Sequence, residues 1–292
     1  MIIFFRMLCF FKWTGYRFFL HIYKIYIILF ISFLNSDLVI GQDYLVKYRI
    51  QSQSDSTYSD YKAEEMAVLF ISNQINSYFY TDNFALNDSI IKLVDSGKIN
   101  PYEIMSDKNN LRHTQFDQHI VKYLPKHTIT LFENLLSSNY LCEFQPNFKW
   151  EMQSDTLTIK GYLCNKATGY FGGRTYIAWF THEIPIQDGP YVFCGLPGLI
   201  VKIHDTKNHY DFTLVSLQQT TSTSFLKTPN VGKKVISATR EQLFKARERM
   251  RTQFLEVLQN EMGMKIIVSP EMEQKRKQNE KTDNNPLELR VD

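Results

Sequence analysis

The sequence of 292 residues lacks the motifs of several common catalytic classes. It contains no Gly-x-Ser-x-Gly motif, which forms the turn that carries the nucleophile in many serine hydrolases. It also contains no glycine-rich loop of the kind that cradles a phosphate group, and no internal repeat or low-complexity block. The sequence therefore gives no sign of a serine nucleophile or of a nucleotide site.

A long apolar run is also missing. Lys24 and Asp37 bracket about a dozen uncharged residues, fewer than the roughly 20 that a membrane-spanning helix requires. The preceding residues are basic, and small or modest side chains follow the run up to Gly41. This pattern predicts a removed signal peptide at residues 1–41, with cleavage after Gly41. We therefore expect an exported protein that resides in the periplasm or at the outer membrane or cell surface.

The predicted mature part has no excess of basic charge. The leader carries four basic residues against one acidic residue, which equals the net charge of +3 of the whole chain. The residues from Gln42 onward are therefore formally neutral. Because binding to nucleic acid depends on clustered Lys and Arg, no nucleic-acid partner is expected. Contact with a membrane is expected only through the leader before cleavage.

Cysteine is scarce, since only Cys142, Cys164 and Cys194 remain after the predicted cleavage. An oxidising compartment would allow one disulfide bond and leave one thiol over. Three buried, reduced cysteines are the structural alternative. Both interpretations are compatible with the sequence.

Alternation of apolar and polar residues predicts strands along most of the mature part. The residues from Tyr44 to Ile50 follow a period of two, which is typical of a half-buried strand. A hairpin is predicted over residues 148–161, with Gln153-Ser154-Asp155 as its turn. Further strands are predicted at residues 164–171, 175–180, 199–204 and 210–217.

The C-terminal part has a different pattern. Residues 238–262 carry apolar side chains at spacings of three and four, which predicts an amphipathic helix. Residues 271–292 form a charged tail that is predicted to be mobile, with a docking segment near its end. We therefore predict a mainly β fold over residues 42–270, a single domain with a curved antiparallel meander sheet or half-barrel and a C-terminal amphipathic helix.

The most distinctive stretch is Gly195-Leu196-Pro197-Gly198-Leu199-Ile200. Pro197 and Gly198 occupy the second and third positions of a four-residue turn, which predicts a type II turn leading into a buried strand. The six residues resemble the hallmark of the GLPGLI family of exported Bacteroidota proteins. Gly173-Arg174 and Ala178-Trp179-Phe180-Thr181 are similar to further patterns of that family, whereas His182 and Cys194 depart from its usual residues.

This resemblance implies an exported, mostly β envelope protein without an established reaction. Genes of the GLPGLI family often lie near those of outer-membrane transporters, so the resemblance also implies an accessory binding role. The candidate ligand-binding residues are Arg174, Trp179, Glu183, Asp188, Trp150 and Tyr176. They combine a guanidinium that can hold a carboxylate or phosphate bidentately with carboxylates and with aromatic rings of the kind that line ligand pockets. The structural alternative is that Arg174 pairs with Glu183 or Asp188 and that the aromatic rings fill the core.

These features favour a non-catalytic binding or interaction module over an enzyme, with an envelope protein or a small ligand as its partner. The alternative is a hydrolase or glycan-processing accessory that uses Glu183 or Asp188 as its acid or base, in a cleft that both carboxylates face. His182 and Glu183 are adjacent, so a strand would place them on opposite faces, and with His204 they match no zinc spacing. We expect neither a metal nor a cofactor.

Overall fold

The computed structural model describes residues 42–57, 62–100, 114–135, 138–226, 235–262 and 269–291. The predicted signal peptide at residues 1–41 lies outside them. Twelve strands are described: β1 (Asp43–Ser52), β2 (Ala63–Ser72), β3 (Asn76–Thr81), β4 (Gln118–Tyr123), β5 (Thr128–Leu135), β6 (Ser138–Phe144), β7 (Glu151–Ile159), β8 (Tyr162–Phe171), β9 (Arg174–Thr181), β10 (Leu199–Asp205), β11 (Tyr210–Thr220) and β12 (Val235–Ser237).

All twelve strands belong to one sheet in the order β12-β6-β5-β4-β3-β2-β1-β11-β10-β9-β8-β7. Each neighbouring pair is antiparallel except β12 and β6, which are parallel. The prediction of a mainly β chain with an antiparallel meander is therefore confirmed, with one parallel pair added. The sheet is open, and its two edges within the described ranges are β12 and β7.

The sheet consists of two meanders that meet at β1. Strands β1 to β6 follow one another on one side, and β7 to β11 follow one another on the other side. They join where β1 pairs with β11, from Asp43 opposite Thr220 to Ser52 opposite Tyr210. The first described strand is therefore central, and its residues Val46, Tyr48 and Ile50 are fully buried.

The hairpin predicted over residues 148–161 is wrong, because both of its predicted strands belong to the single strand β7, which pairs with β8. Gln153, Ser154 and Asp155 lie inside β7, where the register with β8 shifts between Met152 and Thr156. The chain reverses instead at Lys160 and Gly161, which both have a positive φ. Two central residues with positive φ match the twist of a two-residue hairpin turn, whereas the polar triplet is accommodated as a bulge.

Four helices are described: α1 (Asp82–Asp95), α2 (Arg240–Thr252), α3 (Phe254–Met262) and α4 (Pro270–Thr282). The predicted helix over residues 238–262 is divided at Gln253 into α2 and α3. It begins at Arg240 because Thr239 and Gln242 form a capping box. Helix α4 lies in the part that the sequence indicated as a charged mobile tail, and its mobility stays a prediction. No helix of the described part is long and apolar enough to cross a membrane.

The main core lies on one face of the sheet. Both meanders contribute to it, for example through Ile120 of β4 and Phe180 of β9, and α2 contributes Leu243. The connection between β9 and β10 adds Phe193 and Leu196 to the same cluster. A smaller cluster lies under α1 and includes Phe70. The core is therefore built largely around one connection between strands, which also contains most of the distinctive sequence.

Candidate functional site

The connection between β9 and β10, residues 182–198, is named the buried loop here. Most of its side chains are buried, which is unusual because a buried connection must satisfy its own backbone polar groups. It does so partly through short internal hydrogen bonds. The N–H of Asp188 donates to the carbonyl of Ile186 at 2.8 Å, and that of Gly195 donates to the carbonyl of Gln187 at 3.2 Å.

The turn at Pro197 is not the predicted type II turn. The N–H of Gly198 donates to the carbonyl of Leu196 at 2.8 Å, which closes a three-residue turn around Pro197. The N–H of Leu199 donates instead to the carbonyl of Ile184 at 3.0 Å. The tighter turn results because the start of β10 forms hydrogen bonds with the beginning of the buried loop.

Glycine is required at position 198 by a close backbone approach. A Cβ atom there would lie 2.0 Å from the carbonyl oxygen of Thr181, and the φ of Gly198 is +155°. Gly195 is needed for a different reason, since its φ of +86° falls in the left-handed region. The two glycines of the distinctive stretch therefore have structural roles in the buried loop.

Two side chains from the sheet, and that of Trp150 directly before β7, hold the backbone of the buried loop and of the start of β10. The hydroxyl of Tyr48 donates to the carbonyl of Ile200 at 2.7 Å. The ammonium of Lys122 donates to the carbonyl of Gly189 at 2.6 Å. The indole of Trp150 donates to the carbonyl of Cys194 at 2.9 Å. Because these side chains come from both meanders, the buried loop connects the two halves of the sheet.

The three aromatic residues of the predicted site lie in different places. Trp150 covers Gly169, where a Cβ atom would lie 2.6 Å from the indole ring. Tyr176 is buried against Phe193, with the ring centroids 4.7 Å apart, and burial raises the pKa of its hydroxyl well above the usual value. Trp179 is only partly buried, and the ammonium of Lys166 lies 5.9 Å from its ring. Trp150 and Trp179 are both partly buried, and ligand binding by this set stays a prediction.

Arg174 is buried and binds residues near the end of the chain. Residues 283–291 are named the C-terminal segment here. Arg174 donates through Nη2 to the side chain of Asn285 at 2.6 Å and to the carbonyl of Pro286 at 2.6 Å, and through Nε to the carbonyl of Leu287 at 2.9 Å. Its Nη1 pairs with Asp205 at 3.1 Å. The guanidinium therefore holds carbonyl and amide oxygens of residues 285–287, and its carboxylate partner is Asp205 rather than Glu183 or Asp188.

Glu183 and Asp188 do not share a cleft. The carboxylate of Glu183 is on the surface and accepts a hydrogen bond from the N–H of Leu163 at 2.8 Å. The carboxylate of Asp188 has no exposed surface and forms an ion pair with Lys122. A substrate at Glu183 therefore has no access to Asp188 in this conformation, which counts against the paired-carboxylate alternative.

The three described cysteines, Cys142, Cys164 and Cys194, are buried free thiols. Burial raises the pKa of Cys164 to about 11 and that of Cys194 to about 12. The thiolate is the nucleophilic form of cysteine, so these groups are unreactive at neutral pH. Across the described ranges, no group of three or more His, Cys, Asp or Glu side chains has a geometry that could hold a metal ion.

A cavity of about 680 Å³ lies between strands β4 and β5, helix α2 and the C-terminal segment. It is named the α2 pocket here. Residues distant in sequence form its wall, including Thr114, Gln115, Gln118, Glu133, Tyr191, Tyr210, Phe244, Arg247, Glu248, Arg251, Asp283 and Glu288. Amide, carboxylate, guanidinium and phenol groups therefore line one space, which suits a polar ligand better than an apolar one.

Two partly buried ion pairs organise the wall of the α2 pocket. Arg247 binds Glu133 bidentately, with Nε 3.0 Å from Oε1 and Nη2 2.6 Å from Oε2. Glu288 accepts hydrogen bonds from the hydroxyl of Tyr191 at 2.5 Å and from Arg240 at 2.7 Å. Burial would raise the pKa of Glu288, but Arg247 and Arg240 together with Tyr191 lower it below the usual value. These groups form a rigid charged wall.

Two further polar side chains of the α2 pocket are Arg251 and Gln115. The side chain of Arg251 is 27% exposed and binds Glu248 at 2.8 Å. The side-chain oxygen of Gln115 is buried and has no hydrogen-bond partner in the described part of the chain. The sequence did not reveal this pocket, because polar residues of an amphipathic helix such as α2 normally face solvent. Only the fold brings them to Glu133 and the C-terminal segment.

Residues 172–202 match a family model described as "Protein of unknown function (Porph_ging)". This match covers the turn into β9, the buried loop and the start of β10. It does not confirm the GLPGLI name that the sequence resemblance suggested. No curated protein matches the chain.

Several solved structures are similar to part of the chain. Two structures of PNGF-II align with TM-scores of 0.47 at 11% and 12% identity, covering 72% of this chain and 34% and 33% of theirs. The chain therefore spans about a third of the length of PNGF-II. A LolA superfamily protein, NE2245 from Nitrosomonas europaea, aligns with a TM-score of 0.27 at 7% identity, covering 65% of this chain and 91% of that one.

Proposed function

We propose that the chain is an exported, non-catalytic binding module of the bacterial cell envelope, and that the α2 pocket is its ligand site. The observation that carries the proposal is the composition of the pocket wall. Arg251 offers a partly exposed guanidinium to a ligand, and the side chain of Gln115 lines the same space of about 680 Å³. Arg247 and Glu133 hold each other in place and keep the wall rigid.

Binding is favoured over catalysis because the described cysteines, Asp188 and Arg174 are engaged or unreactive toward a substrate. The thiols of Cys164 and Cys194 have strongly raised pKa values. Asp188 forms a buried ion pair with Lys122, and the guanidinium of Arg174 already donates its hydrogen bonds to the C-terminal segment. A catalytic site needs groups that meet substrate with a suitable pKa, and the α2 pocket instead presents paired charges and amides.

The proposal extends to the partner and the shape of the module. We propose that the sheet curves around the buried loop as a half-barrel, which agrees with the contribution of both meanders to one core. The partner is an envelope protein or a small polar ligand. An accessory role beside an outer-membrane transporter rests on the sequence resemblance.

Co-purification from native envelope extracts tests this proposal. The bait is the full chain in three forms: wild type, Arg251→Ala and Arg49→Ala. Arg251 is in the pocket wall, whereas Arg49 is a half-exposed surface arginine near Glu64 and serves as the matched control. We expect one species to be retained by the wild type and by Arg49→Ala and to be lost with Arg251→Ala.

Two outcomes contradict the proposal. Equal retention by all three forms would show that the α2 pocket is not the binding site. A wild-type protein that carries neither a small molecule nor a protein from its native envelope would contradict the binding role itself. Native mass spectrometry of the purified wild type distinguishes a small ligand from a protein partner.

A further inference from the structure

Lys122 and Asp188 form an ion pair inside the main core. Their side chains are 1% and 0% exposed. A lysine is rarely buried to this extent unless it is paired, and the pair must overcome a large cost of removing both charges from water. The surrounding residues, among them Tyr48 and Ile200, are fully buried as well. The pair therefore lies away from the protein surface.

The backbone of Gly189 holds the ammonium of Lys122 and the carboxylate of Asp188 in one arrangement. The ammonium of Lys122 contacts Oδ1 of Asp188 and donates to the carbonyl of Gly189 at 2.6 Å. The N–H of Gly189 donates to the same Oδ1 at 2.8 Å. Gly189 packs closely against Ile200, because a Cβ atom there would lie 2.8 Å from the side chain of Ile200. The amine of Lys122 is therefore held against the carboxyl group of Asp188 through Oδ1.

The other carboxylate oxygen distinguishes this pair from an ordinary buried ion pair. Oδ2 of Asp188 is buried and has no hydrogen-bond partner within the described ranges. A buried carboxylate oxygen without a partner is costly, and such groups require an explanation. Loss of that oxygen would remove both the unpaired acceptor and the two buried charges.

We propose that Lys122 and Asp188 condense into an intramolecular amide crosslink after the protein has folded. The ammonium of Lys122 first gives one proton to the carboxylate of Asp188. The neutral amine then attacks Cγ of Asp188, so an Nζ–Cγ bond forms and the Cγ–Oδ2 bond breaks. Two protons of the ammonium leave with Oδ2 as one water molecule, and the neutral amide remains. Oδ1, which the N–H of Gly189 already holds, becomes the amide oxygen. The step is neither an oxidation nor a reduction and requires no further reactant.

The location of the pair favours this condensation. The amine of Lys122 and the carboxyl group of Asp188 are held together by the fold. Their reaction is therefore intramolecular, and the effective concentration of the amine is very high. The crosslink would join β4 of the first meander to the buried loop of the second. Because the described cysteines form no disulfide bond, it would supply the covalent tie that exported proteins often obtain from disulfides.

The test is the mass of the full-length wild-type protein, measured after unfolding, followed by peptide mapping. We expect a protein lighter by one water molecule, and a branched peptide that joins residues 122 and 188. A wild-type mass with no such loss would overturn the proposal. So would a lighter protein whose branched peptide is absent, since water can also be lost at other positions.

Two variants keep the assignment specific. Lys122→Arg retains the positive charge but removes the reactive amine, so we expect it to show no loss of water. Lys126→Arg, a conservative change in the turn after β4, should lose water as the wild type does. A loss of water in Lys122→Arg would contradict the assignment. If Lys122→Arg does not fold, the peptide map of the wild type still decides the question.

Discussion

The side chain of Arg174 donates to the side chain of Asn285 at 2.6 Å, so a residue near the middle of the chain fixes its C-terminal segment. The amide of Asn285 also donates to the carbonyl of Gln53 at 2.5 Å. The hydroxyl of Tyr210 donates to the backbone carbonyl of Asn285 at 2.6 Å. The C-terminal segment is therefore part of the folded core rather than an appendage, and it closes one side of the α2 pocket.

Replacing Arg174 by Lys should destabilise the protein strongly. An ammonium group cannot reproduce the planar fork that serves Asp205, Asn285 and two backbone carbonyls together. We expect a loss of about 3 kcal/mol or more in the free energy of unfolding, measured with urea. The surface change Arg49→Lys is the control and should cost less than about 0.5 kcal/mol. Equal stability of both variants would mean that the clamp contributes little.

Replacing Gly198 by Ala should be among the most damaging single changes in the buried loop. The added Cβ atom would lie 2.0 Å from the carbonyl oxygen of Thr181, so the backbone must move. We expect a loss of at least about 3 kcal/mol, or failure to fold. Gly161→Ala is the matched control, because Gly161 also has a positive φ but has nothing within 4 Å of its missing Cβ. The control should cost only about 1 kcal/mol, and a similar cost for both variants would contradict the close approach.

The acid sensitivity of the fold should depend on Glu288. The neighbouring guanidinium groups and Tyr191 lower its pKa in the folded state despite its burial, so the folded protein binds this proton less readily than the unfolded chain. Its contribution is therefore present above the unfolded pKa of about 4.3 and is lost as the pH falls through the folded pKa. We expect the free energy of unfolding of Glu288→Gln to fall less steeply than that of the wild type below about pH 4.3.

Glu65 provides the comparison of opposite sign. Burial raises its pKa, so its folded state binds the proton more readily. In Glu65→Gln, stability should therefore fall more steeply than in the wild type as the pH decreases. Identical pH profiles for Glu288→Gln and the wild type would show that the charged wall of the α2 pocket does not determine acid stability.

The predicted leader can be tested on protein recovered from cells that make the full chain. We expect the protein in the envelope fraction to begin at Gln42, as shown by N-terminal sequencing or by mass, because the basic residues and the short apolar run precede Gly41. Protein that retains residues 1–41, or that stays in the cytoplasm, would contradict the prediction of export. Substitution of Gly41 by a bulky residue should slow the cleavage.

Much of the sheet could be predicted because its signals are local. A period of two in the sequence reflects the alternation of side chains across a strand, and this pattern indicated β1, β8, β9, β10 and β11. The hairpin could not be predicted correctly, because Gln153-Ser154-Asp155 has the composition of a turn but is absorbed as a bulge in β7. A positive φ at Lys160 has no sequence signal, since lysine rarely adopts it.

The candidate site was harder to predict because it depends on contacts between distant residues. Arg174 was identified as a binding residue, and the structure shows that it binds carbonyl oxygens of the chain's own C-terminal segment. Lys122 was missed altogether, because a lysine in an alternating strand is normally assigned to the solvent face. The α2 pocket combines β5, α2 and Glu288, and no local pattern links them.

Hydrogen exchange measured with and without the co-purified ligand tests the central claim, that the α2 pocket is the binding site. We predict slower exchange of backbone amides at residues 114–118, 244–251 and 283–288, which border the pocket. The Arg251→Ala variant should show no such change at the same ligand concentration. Slower exchange confined to β8 and β9 around Trp179, or no slower exchange at all, would contradict the claim.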